Sequence, residues 1–219
     1  MNDNSPGNAN SPQPLLKDIA YDKIKELILE ERFEPGRFLS ERELIALLEM
    51  SKTPIKSALT RLESEGFVTV SSKQGIIIND LSISRIIDIY DLRTVLEVYN
   101  CEAVLEKLGP SEFEELERNL AKTADICERL DIREFARADH EFHLLICKFA
   151  GNQEIYRVLL NYQDHLLRIT LRHLKKEPQR MKRFLQDHRD IYDGLTRQSP
   201  EAVERMRAHL QNSKKKLFE

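Results

Sequence analysis

The chain has 219 residues, 41% hydrophobic and 32% charged, with a net charge of −3. That length allows two domains with cores of their own, and the charge excludes a globally basic nucleic-acid binder, so any basic surface has to be local. The 7 glycines and 8 prolines, several of them in the first fourteen residues, argue against an all-β fold or a glycine-rich phosphate loop.

Residues 1–14, MNDNSPGNANSPQP, lack the basic start and apolar centre of a signal peptide and read as a disordered tail. Ala20, Ile24, Leu27 and Ile28 then recur at helical spacing until Phe33-Glu34-Pro35-Gly36 breaks the pattern. Ser40 and Glu43 form a capping box, followed by a short helix that turns Leu44, Leu47 and Leu48 inward. Ser51 caps the next helix, whose first turn tolerates Pro54 because the missing N–H would be unbonded there. That helix carries Lys52 and Lys56 on one side and Ile55, Leu59 and Leu62 on the other. Residues 67–70 and 75–78 are strand-like. Three helices and a hairpin in this order predict a winged helix-turn-helix over residues 15–80 with a two-stranded wing.

Residues 81–219 are wholly helical in pattern. Amphipathic segments run over about 82–107, 111–129, 131–149, 152–174, 178–196 and 200 to the end. Ser111 with Glu114, and Asp131 with Glu134, have capping-box spacing; Gly151 suits a helix stop, and Pro200 a first turn. Short connections predict an antiparallel bundle of six to seven helices, so the fold class is mainly α. Cys101, Cys127 and Cys147 form no CxxC pair and read as buried reduced thiols. No apolar run approaches a membrane span, and a cytoplasmic location is expected.

The N-terminal region resembles the DNA-binding domain of GntR-type bacterial regulators. The resemblance rests on Tyr21 to Ile24, Pro35-Gly36, Ser40-Glu41-Arg42-Glu43-Leu44-Ile45, Ser51-Lys-Thr-Pro-Ile-Lys-Ser-Ala-Leu59, and Leu62 to Gly66. The helical remainder is similar to the FCD effector domain of the FadR branch. Its marks are Tyr90-x-x-Arg93-x-x-Leu-Glu97, Asp139-x-x-Phe142-His143, Ala150-Gly151-Asn152, Asp187-His188 and Arg207-Ala-His209-Leu. The resemblance implies a homodimeric transcription regulator that binds a double-stranded DNA operator with inverted-repeat symmetry. It makes Arg42, Ser51, Lys52, Thr53 and Lys56 DNA contacts, with Gln74 and Gly75 at the wing tip. Lys52 and Lys56 replace arginines usual in the family, trading a two-pronged fork for a mobile point charge. Glu49 stands in the turn where the family often has glycine.

Asp139 and His143, four residues apart, project from one helix face. His188 and His209 fall on the last two predicted helices, and the resemblance assigns all four positions to a metal. Three imidazoles and a carboxylate suit a divalent ion, zinc first, with nickel or manganese as alternatives. Arg93 matches a position often directed at the pocket, where it would hold the carboxylate of a small organic acid effector; its other reading is a surface salt bridge with Glu97. His140, His165 and His173 have no matched role. Two further readings stay open at this point: a helical half that is a metal-free dimerisation or ligand module, and a metal-dependent enzyme. The enzyme is disfavoured because no histidine has an acidic residue three places before it, as two-metal bundles require. His140 and His143 are also one residue too close for the zinc-protease motif.

Overall fold

A computed structural model describes residues 14–71 and 75–217. The tail expected over 1–14, Pro14 apart, and the wing-tip Gln74 lie outside the described residues. The chain divides into two compact units, Met1–Asp80 and Leu81–Glu219.

In the first unit, α1 (Leu16–Leu29) packs along α3 (Lys52–Ser64), with α2 (Glu41–Leu48) against α3. Ala20, Ile24 and Ile28 of α1 meet a core that includes Leu44, Ile55, Leu59 and Leu62, as their spacing predicts. Leu47 departs from expectation: it is 52% exposed, because the eight-residue α2 buries only the edge carrying Leu44 and Leu48. Ser40 accepts a bond from Glu43 N at 3.1 Å, but Glu43 does not return it; its carboxylate pairs with Arg37 at 2.7 Å instead. Ser51 takes the N-cap backbone position of α3 without a side-chain cap bond, leaving its hydroxyl exposed. Glu49 closes α2 at φ 53°, a left-handed conformation that glycine would adopt with less strain.

The wing has one strand more than expected. β2 (Val68–Ser71) and β3 (Gly75–Ile78) pair antiparallel, and β1 (Phe38–Leu39) adds to the far side of β3, giving the order β1-β3-β2. Two residues are too few to show an alternating pattern, which is why β1 escapes the sequence. A lock joins α1 to α3. Tyr21 donates its hydroxyl to Glu65 at 2.6 Å, Lys25 reaches the same carboxylate at 3.3 Å, and Arg61 lies 3.6 Å over the Tyr21 ring. Burial, then the bond to Glu65, pushes the Tyr21 hydroxyl up to about 12, so it stays a donor.

The second unit is built from α4 (Ile83–Val104), α5 (Pro110–Glu128), α6 (Ile132–Ala150), α7 (Gln153–Lys176), α8 (Arg180–Thr196) and α9 (Glu201–Lys216). Helix α6 packs on α4, α5, α7 and α8, which makes it the central element. Asp131 caps it by accepting from Glu134 N at 3.0 Å, and Gly151 ends it at φ 83°. Helix α5 begins earlier than Ser111 suggests. Pro110 occupies its first turn, and Glu112 reaches back to Gly109 N at 3.0 Å. Cys101, Cys127 and Cys147 are all buried and free. Helices α8 and α9 come close at Gly194: a Cβ there would stand 2.8 Å from the Ala202 Cβ. That contact lies between the two helices that carry His188 and His209.

Candidate metal centre and nucleic-acid interface

Asp139 and His143 of α6, His188 of α8 and His209 of α9 meet inside the second unit. Each offers a ligand atom, all of these lie within 4.8 Å of one another, and all four residues are buried. His188 Nε2 stands 3.1 Å from His143 Nε2 and 3.5 Å from Asp139 Oδ1. The His188 ring stacks on Phe142 at 4.4 Å between centroids, and the His143 ring lies over His209 at 5.3 Å. Such packing fixes the imidazoles before any ion arrives.

Electrostatics prepare the same donors. Burial, followed by the positive charge of Arg93, holds His143 well below its ordinary value; burial also lowers His188, with its histidine neighbours adding to the effect. Both rings therefore carry lone pairs at neutral pH, as coordination demands. Burial pushes Asp139 up to about 6, against the opposing pull of His209 and Arg93. Its Oδ1 is buried without a hydrogen-bond partner. A buried, desolvated carboxylate oxygen among neutral imidazoles is a position that a cation would satisfy, so the residues fit a divalent metal.

Arg93 is not the surface salt bridge that one of its two readings expected. It does pair with Glu97, Nε to Oε1 at 2.5 Å, but the pair is buried, each side chain 4% exposed. Its Nη2 is buried and unpartnered. Glu97 also reaches the histidine cluster, with Oε2 2.5 Å from His143 Nδ1. Asp187 does the same for His209, accepting from or facing its Nδ1 at 3.2 Å. The sequence offered Asp187 only as the neighbour of His188, and Glu97 only as the partner of Arg93. A pocket of about 10 Å³, room for about one water, adjoins the cluster; Glu97, His140 and His143 line it with Leu159, Gln163 and Leu166 of α7. His140 thus sits beside the cluster without joining it; its Nε2 faces Thr170 Oγ1 at 3.3 Å, and burial drops it to about 3. His173 is drawn to Arg180 instead, and His165 to Arg85 at 3.4 Å.

In the first unit, Arg42, Ser51, Lys52, Thr53 and Lys56 are all exposed at the starts of α2 and α3. Lys52 Nζ lies 2.8 Å from Glu41 Oε2, and that bond, with Lys56 nearby, holds the Glu41 carboxyl below its usual range. Gly75 opens β3 at φ 85°, where a Cβ would meet Leu39 O at 2.7 Å; only glycine fits there.

Residues 16–78 match the bacterial regulatory proteins of the gntR family, and residues 88–212 match the FCD domain. An HTH-type transcriptional regulator from an unstable DNA locus of Streptomyces ambofaciens is 31% identical over 195 residues, covering 89% of this chain and 81% of the relative. This chain belongs to the GntR family, with a C-terminal FCD domain. The gluconate operon transcriptional repressor of Bacillus licheniformis is 28% identical, covering 76% of this chain and 70% of that protein. The solved structure of E. coli McbR/YncC shares the fold, with a TM-score of 0.76 at 20% identity over 94% of this chain and 98% of that one.

As a GntR-family transcription regulator the protein combines a DNA-binding helix-turn-helix with an effector-binding FCD domain. Its family and relatives are regulators rather than enzymes. No helix among the described residues is long and apolar enough to cross a membrane.

Proposed function

We propose that this GntR-family protein is a cytoplasmic, homodimeric regulator whose grip on an inverted-repeat operator responds to a small carboxylate bound at a metal site. The observation that carries the metal is the buried set of Asp139, His143, His188 and His209 with its orphaned Asp139 oxygen. Zinc suits three imidazoles and one carboxylate, and nickel or manganese are the alternatives to test. When bound, the ion supplies a Lewis-acidic position for an oxygen ligand.

Charge balance supports a carboxylate as the effector. Arg93 with Glu97 and Arg183 with Asp187 cancel as ion pairs, and Asp139 offsets one of a divalent ion's two charges. One positive charge is left in a buried place, where an uncompensated charge is costly. A single carboxylate cancels it, and the unpartnered Nη2 of Arg93 is a second donor for the same group. One relative is named for the gluconate operon, and a hydroxy acid or sugar acid is the class we infer here.

On the DNA side, Lys52 and Lys56 serve as phosphate contacts, with Arg42, Ser51 and Thr53 beside them on the exposed helix starts and Gly75 at the start of β3; Gln74, its neighbour in sequence, is proposed as a further contact. Twofold half-sites match a dimer of reading heads. Elemental analysis of protein purified without a histidine tag, then stripped and reloaded, tests the metal: about one ion per chain is expected. Calorimetry of the loaded protein against a panel of organic acids is expected to find one that alters operator affinity. An uncharged or cationic effector would refute the carboxylate. Lys56→Ala is expected to weaken operator binding and reduce its salt slope by about one; an unchanged slope would remove its phosphate role.

A further inference from the structure

We infer that Glu97 and Asp187 are the positioning carboxylates of the histidine cluster, each standing behind one imidazole and turning its Nε2 to the centre. This rests on the reading of the cluster as a metal site. His143 points Nε2 at His188, 3.1 Å away, so its Nδ1 faces outward, and Glu97 Oε2 lies 2.5 Å from that atom. The contact is off the ring N–H direction, and neither atom has a formed hydrogen bond. At that separation the carboxylate charge acts on Nδ1 through space without one. His209 repeats the pattern with Asp187 Oδ2 3.2 Å from Nδ1, which leaves its Nε2 for the centre.

Each carboxylate is itself held by an arginine four residues earlier on its own helix. Arg93 Nε meets Glu97 at 2.5 Å on α4, and Arg183 Nε meets Asp187 at 3.0 Å on α8. The same three-part arrangement therefore occurs twice around one centre, from two different helices. The chemistry of imidazole explains its use. A neutral ring carries one N–H; a carboxylate at Nδ1 keeps the proton there, leaves the lone pair on Nε2 and makes it a stronger donor. The two differ in burial. Glu97 and Arg93 are each 4% exposed, whereas Asp187 is 14% and Arg183 72% exposed. Solvent screens the second pair, so Glu97 carries the larger effect.

Zinc affinity of the full-length protein, measured by competition with a chromophoric chelator, tests the inference, with cobalt absorption as a spectroscopic readout of the ligand field. Glu97→Gln keeps the shape and removes the charge; it is expected to weaken zinc binding by about 10- to 100-fold and to shift the cobalt bands. Asp187→Asn is expected to weaken it less. Glu97→Gln strands the Arg93 charge and endangers the fold, so Arg93→Met/Glu97→Gln, which leaves no lone charge, is measured beside it and is expected to show the same loss. Wild-type protein that binds zinc, with both Glu97 variants matching its affinity and its cobalt spectrum, overturns the positioning role and leaves the metal site standing. A larger loss from Asp187→Asn than from Glu97→Gln overturns the ranking by burial. Wild-type protein that binds no zinc overturns the metal reading itself, on which this one depends.

Discussion

Replacing His188 by alanine separates packing from coordination. The ring is 1% exposed and stacked on Phe142, so truncation leaves a cavity and costs roughly 2–4 kcal/mol whether or not metal is present. The second contribution exists only with the ion. Metal at about 100-fold excess over its dissociation constant stabilises the folded form by roughly 2.7 kcal/mol. For a unit the size of Leu81–Glu219 that corresponds to a melting shift of roughly 10 °C. Thermal unfolding by circular dichroism, on stripped protein with and without added zinc, reads both terms. Wild type is expected to gain the metal shift; His188→Ala is expected to melt lower and to gain none of it. A variant that melts lower yet keeps the full zinc shift would show that His188 is only a packed ring. A wild type indifferent to zinc would refute the premise.

The metal-free protein is expected to lose stability in mild acid. His140, His143 and His188 are held below their ordinary values, so the unfolded chain takes up protons that the fold refuses; their stabilisation is present above about 6.5 and falls below it. For His140, which titrates at about 3, the loss at pH 5 is about 2 kcal/mol. Asp139, raised to about 6, acts oppositely and returns about 1.4 kcal/mol at that pH; a urea midpoint that rises between pH 7 and pH 5 would contradict the sum. Glu41→Gln releases Lys52 from its 2.8 Å ion pair and removes a negative charge from the proposed DNA face, so non-specific DNA binding should tighten severalfold and its salt slope steepen; gel shifts across a salt series would reject this if the affinity fell. Leu166→Ala enlarges the pocket beside the cluster, and it should tighten effector binding while reducing the effector's influence on operator affinity; a variant with full influence would separate the pocket wall from the response.

Much of this was legible because it is local. The i, i+4 spacing of Asp139 and His143 puts two donors on one face, and the apolar stripe of α3 leaves Lys52 and Lys56 outward. His188 and His209 lie on separate helices, and only the family resemblance joined them to the first pair. What stayed hidden depends on tertiary packing. Nothing near Glu97 says that its face of α4 meets α6, and the Gly194–Ala202 approach that aligns α8 with α9 is a contact between helices. The Tyr21–Glu65 lock spans 44 residues, beyond any local pattern. Arg93 with Glu97 shows the limit most directly: the spacing foretold the pair, while its burial, which decides its chemistry, came only from the helices around it.

That same packing bears on how an effector would be felt. Helices α6, α8 and α9 supply the donors and α4 supplies Glu97, whereas α7 supplies only wall: Leu159, Gln163 and Leu166. The pocket they close has about 10 Å³, so an organic acid of more than one or two heavy atoms enters only if these side chains, or α7 itself, give way. Effector binding is then divided between contact at the centre and displacement of α7, and only the part that distinguishes two arrangements can shift an equilibrium elsewhere. Leu166 is well placed to carry that part. It belongs to the same buried cluster as Ile89, Tyr90, Ile169 and Leu81, and Leu81 is the first residue of the helical unit after the chain leaves the DNA-binding one. A displaced Leu166 disturbs the cluster that also holds Leu81, whereas a pocket already enlarged by Leu166→Ala would admit the acid without asking anything of it. Contiguity alone proves no coupling; the comparison of operator affinity with and without effector, in wild type and in that variant, measures it.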